Sequence, residues 1–453
     1  MPTIDVTIEK LIYGGEGLAH HDGATVFVPF VLPDERISAS PVKQKKKFVR
    51  AQVQDVLTPS QDRVAPRCPH FGVCGGCDYQ HIGYDSQLKY KTEILRETLR
   101  RIGRIEWTGE IVAHASPPWA YRNRAQWKIR PAADVQESSP TPTAAEERDA
   151  AAGAHLGIGY FRANSTALCA VEDCPIVSPL LLKTLLALRE SLTAGALPKN
   201  LREIEAFAGA DDSQLLLTAT FSGFPARAEE LEQKIREIAP EIGSLLFHDP
   251  TRERMQLFGP GFIPCGAAGC TYRVGHFSFF QVNRFLAGDL ASEVVEKDPG
   301  GSLALDLFAG VGLFSVPLAE RFDHVVAVEA NPASARDLEA NIATIPRAAN
   351  GRGVAASVEV RVAEVEQFLA KFRGKPQLVV LDPPRAGLTP PVVKYLARIA
   401  PERITYVSCD PPTLARDLAA FQQAGYELGE LHLFDLFPQT FHMETVARLR
   451  RRP

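Results

Sequence analysis

Charge of one sign is what this 453-residue chain most lacks: 50 Lys and Arg stand against 54 Asp and Glu, a formal net charge of −4. No overall field draws it toward phosphate, so any nucleic-acid site must be a local patch. Long apolar runs are lacking as well. The segment Met1–Lys10 has neither a basic stretch nor an extended apolar core, unlike a secretion signal. The longest nearly uncharged apolar stretch, Ser302–Ala319, carries Asp306 and two glycines and reads as strand–turn–helix, not as a membrane span. Cysteine is scarce, eight residues in all. Without a secretion signal they point to a reducing compartment, where thiols serve as metal ligands or nucleophiles. A cytoplasmic protein with no membrane association and no obligate protein partner is expected. What is present, 45% hydrophobic and 23% charged residues, suffices for several buried cores and excludes wholesale disorder.

The chain reads as α/β, in three regions. Residues 1–62 form a small β module, with alternating Ile4–Glu9, a turn at Gly14–Gly17 and a β-branched run Thr25–Val31. Its segment Arg36–Arg50 holds six basic residues and no acid, which suits either a solvated edge strand or RNA backbone contact. Residues 63–270 form a central α+β region: a Cys- and Gly-rich loop at 65–81, a basic helical stretch Asp85–Arg104, hairpin arms Arg122–Pro131 and Leu156–Phe161, and further strands at Leu215–Phe221 and Gly243–His248 around a helix Ala226–Ile238. The stretch 131–154, poor in large apolar residues, reads as a flexible insertion. Within 271–453, strands Leu303–Leu307, Val325–Glu329, Val358–Val362, Leu378–Asp382 and Ile404–Ser408 alternate with helices such as Ala333–Ala343 and Pro391–Ala400. That alternation predicts a doubly wound, Rossmann-like parallel sheet, which binds ligands at the carboxyl ends of its strands.

Asp306-Leu307-Phe308-Ala309-Gly310-Val311-Gly312 lies where the first such strand turns into a helix, and Glu329 ends the next strand. Glycine there lets backbone approach a ligand, and a carboxylate at the second strand end can accept both ribose hydroxyls. The third glycine of a dinucleotide fingerprint is absent, which argues against NAD and FAD. With Asp382-Pro383-Pro384 after a later strand, the set resembles a class I S-adenosylmethionine methyltransferase; a Rossmann-like domain without cofactor is the plain alternative.

Arg385 follows the Asp-Pro-Pro, where amino-group methyltransferases have an aromatic residue. Tyr406-Val407-Ser408-Cys409-Asp410-Pro411-Pro412 then places Cys409 at a strand end facing the cleft. Pyrimidine C5 is a poor nucleophile, but thiolate attack at C6 makes it enolate-like, and a base must afterwards remove the C5 proton. A free thiol is only about 3% ionised at neutral pH, so the site should lower its pKa or deprotonate it. Glu444, opening the last apolar strand, is the candidate base.

These segments, with Phe279-Phe280-Gln281-Val282-Asn283, Leu381–Gly387, Ser408–Leu418 and His442–Leu449, occur in the order of the RNA uracil-5-methyltransferase family, which includes the tRNA and 23S ribosomal RNA enzymes. The chain resembles it over nearly its whole length. The resemblance implies an OB-like TRAM barrel in residues 1–62, S-adenosylmethionine-binding positions at Gln281, Phe308, Glu329 and Asp382, a nucleophile at Cys409 and a base at Glu444. Leu313 and Asp410 stand where Asn occurs in family members; a carboxylate beside the thiol should raise its pKa.

Cys68-x5-Cys74-x2-Cys77 places three thiols in one loop. A fourth ligand comes from Cys169 or Cys174, and a zinc site with His70 and His81 nearby is the alternative to iron. The family resemblance implies Cys174 and a [4Fe–4S] cluster. Cys265 and Cys270 suggest no chemistry. Arg122, Arg124, Lys128 and Arg130, interleaved with Trp119, Tyr121 and Trp127, read as RNA-stacking surface or as core. The expected activity is uracil-C5 methylation of RNA, on 23S rRNA in preference to tRNA. A cytosine-C5 enzyme and a non-catalytic iron–sulfur RNA-binding protein are the rivals.

Overall fold

The computed structural model describes residues 2–131, 156–345 and 356–453. The insertion expected at 131–154 lies, beyond Pro131, outside the described residues.

Alternating apolar positions turn one face of the N-terminal strands inward. Ile4–Thr7, Lys10–Leu11, Glu16–His21, Ala24–Pro29, Arg36–Gln44 and Phe48–Thr58 form one six-stranded sheet. It curls until its first and third strands touch, around a core of its own that includes Val6, Ile8, Val26, Val28 and Ile37. Glu35, fully buried beneath it, is compensated by Arg63 and by the amides of Leu32 and Ser60.

The central sheet has seven strands, in the order Leu168–Ala170, Leu156–Phe161, Arg124–Pro131, Leu201–Ala208, Leu215–Phe221, Ile242–Asp249 and Arg254–Phe258. The two expected hairpin arms pair antiparallel from Lys128↔Gly159 to Pro131↔Leu156. Alternation along the first arm buries Ala125, Trp127 and Ile129. Of the two readings of the aromatic stretch, core holds for Trp127 and Tyr121, which are fully buried, while Trp119 is half-buried. Trp127 donates to the Tyr160 hydroxyl and Tyr121 to the Pro438 carbonyl. Its cations are engaged as well, Lys128 with Glu203, and Arg124 with Glu205 and the Ser278 carbonyl.

The C-terminal sheet has eight strands, ordered Ser357–Val362, Phe322–Glu329, Gly301–Leu307, Leu378–Leu381, Arg403–Ser408, Glu444–Arg451, Tyr426–Phe434 and Val112–His114. The first five run parallel and Glu444–Arg451 is antiparallel to both of its neighbours. Strand order reverses between Gly301–Leu307 and Leu378–Leu381, so the binding crevice opens at their carboxyl ends.

Cores do not follow a linear division at 62/63 and 270/271. The edge strand Val112–His114 joins the C-terminal sheet. Helix Tyr84–Thr98, prolonged by a π-helical turn and stopped where Arg104 takes φ +55°, packs Ile94 and Leu95 in one core with Leu305, Val379 and Leu418. Position 270 falls within the hairpin Phe262–Ala267/Cys270–Gly275. Among the described residues, no helix is long and apolar enough to cross a membrane.

One buried ion pair docks that helix. Lys91 Nζ, with no exposure, donates to Asp435 Oδ1 at 2.6 Å and to the Phe437 carbonyl at 3.1 Å. Desolvation pulls the lysine pKa down, and Asp435 opposes it. Lys91→Met leaves Asp435 buried and unpaired, and should lower urea stability by about 3–5 kcal/mol. Lys91→Met with Asp435→Leu should recover most of that loss. A single-variant loss below about 1 kcal/mol would show that the pair does not hold the helix.

Candidate active site

The crevice begins where Gly301–Leu307 ends. Phe308, Gly310 and Gly312 take φ of +67°, +56° and +96° in the following turn. At Gly312 a Cβ would meet Leu338 Cδ1 at 2.7 Å, so the close approach there requires glycine. Glu329 closes the turn: Oε2 accepts the Gly310 amide at 2.8 Å and Oε1 the Asn331 amide at 2.6 Å. A carboxylate accepts about four hydrogen bonds, so both oxygens retain capacity for a diol. Asp306 is fully buried, bonded by the Ser315 hydroxyl through Oδ2 and without a partner at Oδ1. Burial pushes its carboxyl up to about 7. Gln281 is buried in a segment pinned by Asn283, whose Nδ2 donates to Ser116 Oγ and the Leu436 carbonyl while Oδ1 accepts the amides of Phe285 and Leu286. Leu313 is buried in the core between hairpin Phe262–Gly275 and the sheet.

Strand register brings the two expected catalytic residues together. Arg403–Ser408 pairs with Glu444–Arg451 from Arg403↔Arg450 to Ser408↔Thr445, so one step further sets Cys409 beside Glu444. Glu444 is 4% exposed and its Oε1 lacks a partner. Burial, then Asp382, raises its carboxyl well above the ordinary range. Burial likewise raises Asp382, with Asp306 adding to the effect. Cys409 is half-buried, and burial pushes its thiol up to about 12, with Glu444 and Asp382 reinforcing the shift and Arg385 opposing it. Of the two routes expected from the sequence, a lowered thiol pKa or a base that deprotonates it, the first does not hold here: three carboxylates surround a desolvated sulfur. Asp410 adds to the rise, in the expected direction. The Asp382–Leu388 loop is held against helix Pro411–Gln423 by Asp417, which accepts the Leu388 amide and the Tyr406 hydroxyl, both at 2.8 Å. At Gly387, with φ +70°, a Cβ would strike Arg416 Nη2 and Asp417 Oδ2 at 2.6 and 2.7 Å.

Cys409 opens onto a cavity of about 380 Å³ whose walls include Arg385, Thr440 and His442 on its own side. Cys68, Cys74, Cys77 and Cys174 line the same cavity. Burial raises Cys77 to about 12 and Cys174 to about 11, and neighbouring thiols add to both shifts. Cys169 lies beside Cys74: their hydrogen bond raises Cys74 and lowers Cys169. Among the described residues, the one trio of ligating side chains with donor atoms within 4.8 Å of one another is His114, Glu293 and His432, so no three cysteine sulfurs approach that closely. Arg448 and Lys297 already neutralise Glu293 in that trio. His81 is buried between Phe30 and Phe71, and burial pulls it down to about 4. His70 lines the cavity, its Nε2 accepting the Glu172 amide. Cys265 is buried in the core opposite Tyr272, and the partly exposed Cys270, opposite Ala267, packs against the same core.

Sequence reasoning did not single out Thr440 and Phe437, and gave His442 no role beyond opening the segment His442–Leu449; all three share the cavity with Cys409. Their loop, between the last two strands, carries no motif beyond its nearness to Glu444. Nor did it anticipate Gln87, whose amide bonds Gln439 through both side-chain and backbone atoms of that loop.

Comparison with known proteins agrees with this geometry. A family model described as tRNA (uracil-5-)-methyltransferase matches residues 263–452. Similar proteins include an uncharacterized RNA methyltransferase of Aquifex aeolicus, 34% identical with 98% of each chain covered. The 23S rRNA (uracil(1939)-C(5))-methyltransferase RlmD of Klebsiella pneumoniae is 33% identical, covering 99% of this chain and 96% of the relative. The crystal structure of Pyrococcus abyssi tRNA (uracil-54, C5)-methyltransferase with S-adenosyl-L-homocysteine superposes with a TM-score of 0.72 at 25% identity, covering 98% of this chain and all of that one. Relatives above 30% identity that match this chain end to end make it a member of the S-adenosylmethionine-dependent RNA uracil-5-methyltransferase family.

Proposed function

We propose that the protein methylates C5 of a uracil in 23S ribosomal RNA through a covalent bond from Cys409 to C6. The observation that carries this reading is the register that sets Cys409 next to Glu444 at the crevice mouth. The relatives named for 23S rRNA match at higher identity than the tRNA enzyme of known structure, which favours the ribosomal substrate. Exposed Lys43, Lys45, Lys46 and Lys47, at the tip joining two N-terminal strands, suit phosphate contact by a TRAM-type module.

Gln281, Phe308, Glu329 and Asp382 are the residues we assign to S-adenosylmethionine. The buried, unpartnered oxygens of Asp306 and Glu444 fit a cationic ligand, since an uncompensated carboxylate in a dry site is unfavourable. The bound cofactor supplies the methyl group. Cys409 forms the sulfur–C6 bond, sending an electron pair to C5, which takes the methyl. Glu444 then removes the C5 proton, the C5=C6 bond re-forms and the thiolate departs. The target base, stacked in folded RNA, must be flipped out to reach the sulfur.

We also propose that Cys68, Cys74, Cys77 and Cys174 hold a [4Fe–4S] cluster. Four thiols that line one cavity can surround a multi-iron core, with a structural or RNA-organising role.

Three outcomes test these assignments. Cys409→Ala should bind cofactor yet form neither 5-methyluridine nor a covalent RNA complex. Glu444→Gln should methylate once and accumulate an adduct that survives denaturing electrophoresis, as wild type should on 5-fluorouridine RNA. Adduct in Cys409→Ala, or normal turnover in Glu444→Gln, would remove that residue from its role. In the free protein, thiolate below its pKa grows tenfold per pH unit, so iodoacetamide should alkylate Cys409 about tenfold faster per unit from pH 7 to 9. A plateau near pH 8 would contradict the raised thiol. Protein purified anaerobically should carry about four irons per chain. Cys174→Ser should lose them and Cys169→Ser should not; stoichiometric zinc without iron would overturn the cluster.

A further inference from the structure

The glycine turn between Lys10–Leu11 and Glu16–His21 reaches out of its own sheet. Ile12 closes it, donating to the Glu16 carbonyl at 3.0 Å and accepting the Gly15 amide at 3.2 Å. Gly14 and Gly15 take φ of +109° and +85°, and a Cβ on Gly15 would meet Asp78 Cβ and Phe441 Cδ1, each at 3.3 Å. The tip thus lies tight against the catalytic body. Tyr13, at its apex, packs with the core of that body and not with the N-terminal core. Its ring meets Phe441 edge-on at 5.5 Å between centroids. Its hydroxyl donates to Asp410 Oδ2 at 3.0 Å.

Asp410 uses its other oxygen differently. Oδ1 accepts the amide and the hydroxyl of Thr413, both at 3.0 Å, capping helix Pro411–Gln423. Ser408 Oγ accepts the Asp410 amide at 3.2 Å and donates to the Asp410 carbonyl at 3.3 Å. Cys409 sits between these two residues, so the backbone that carries the sulfur is fixed by Ser408 on one side and by Asp410 on the other. Arg385, on the cavity wall, also reaches the Tyr13 hydroxyl.

We propose that Tyr13 is a positioning residue for the nucleophile: the N-terminal hairpin holds Asp410, and through it the Ser408–Asp410 turn that aims the Cys409 thiol. The inference rests on the reading of Cys409 given above. It gives the N-terminal module a second task besides RNA contact, because seating that module and aiming the sulfur involve the same hydroxyl. A donor on Asp410 Oδ2 also holds the carboxylate charge toward Tyr13, whereas an unbonded carboxylate is free to turn toward the sulfur.

Tyr13→Phe keeps the ring contact with Phe441 and removes only the donor. Hydrogen bonds to charged groups are strong enough that the single-turnover rate of adduct formation on 5-fluorouridine RNA should fall about tenfold. Affinities for S-adenosylhomocysteine and for RNA should change less than about twofold, a split that general unfolding would not produce. Serine at 410 still caps the helix but is too short to meet Tyr13. Adding Tyr13→Phe to Asp410→Ser should therefore cost less than about twofold further. Iodoacetamide alkylation of Cys409 without RNA gives a second reading, and should respond to Tyr13→Phe in wild type and not in Asp410→Ser. An unchanged adduct rate in Tyr13→Phe, or an equal loss in both backgrounds, would overturn the inference. Wild-type protein forming neither product nor adduct would instead overturn the reading of Cys409 on which it stands.

Discussion

The antiparallel pairing of Arg403–Ser408 with Glu444–Arg451 is the constraint on which the site depends. A parallel sheet alone would place strand ends in a row but would not set a residue leaving one strand against a residue entering another. Reversing the last strand does this, because an antiparallel partner starts where its neighbour ends. The side-chain period of two makes the arrangement all-or-none: a slip of one residue would turn Glu444 to the opposite face of the sheet. Val446 packs into the core on one side of the sheet and Ala447 and Leu449 into the core on the other, so a slip would drive Arg448 into the core that holds Ala447 and Leu449 as well as separate the pair.

That register needs the preceding loop to arrive correctly, and the loop is tied down by buried polar contacts from distant parts of the chain. Lys91 holds Asp435, Asn283 the Leu436 carbonyl, Tyr121 the Pro438 carbonyl and Gln87 both faces of Gln439. Satisfied groups of this kind specify one geometry more sharply than apolar packing, since each has few alternative partners indoors. Gln439 itself takes φ +69°, a conformation that persists where surrounding contacts over-determine it. Helix Tyr84–Thr98 and the hairpin from the N-terminal sheet thereby bear on one loop, the helix at Gln439 and the hairpin at Phe441.

How far this was legible in the sequence follows from the range of each signal. The five parallel strands were read to within about three residues, because apolar runs ended by Asp306, Glu329 or Asp382 declare both strand and carboxyl end locally. Cys409 and Glu444 were legible from chemistry: a cysteine at a cleft-facing strand end and an acid opening an apolar strand are both anomalous. Tyr13 and Lys91 were not, since each looks ordinary where it stands and gains meaning only from a partner more than 300 residues away. Trp127 stayed open between surface and core for the opposite reason. Aromatics among arginines resemble a stacking surface, and only the pleat shows that the Trp127 ring and the cations lie on opposite faces of the sheet, with Arg124 itself engaged by Glu205 and the Ser278 carbonyl.

The electrostatics of the site then take a definite sense. Asp306, Asp382 and Glu444 are desolvated together, and burial raises each; Cys409 beside them is raised as well. All four shifts share a sign because each group would add negative charge to a place that already disfavours it. Arg385 opposes the shift at Cys409. A cation seated among the carboxylates opposes the shift of every member at once, favouring the ionised carboxylates and easing ionisation of the sulfur. Binding and thiol ionisation are then linked through charge alone, and by reciprocity an ionised thiol strengthens the binding of that cation. On the proposed reading that cation is the sulfonium donor. On that same reading the Cys409 thiol is least acidic in the free protein and gains acidity in the complex that uses it.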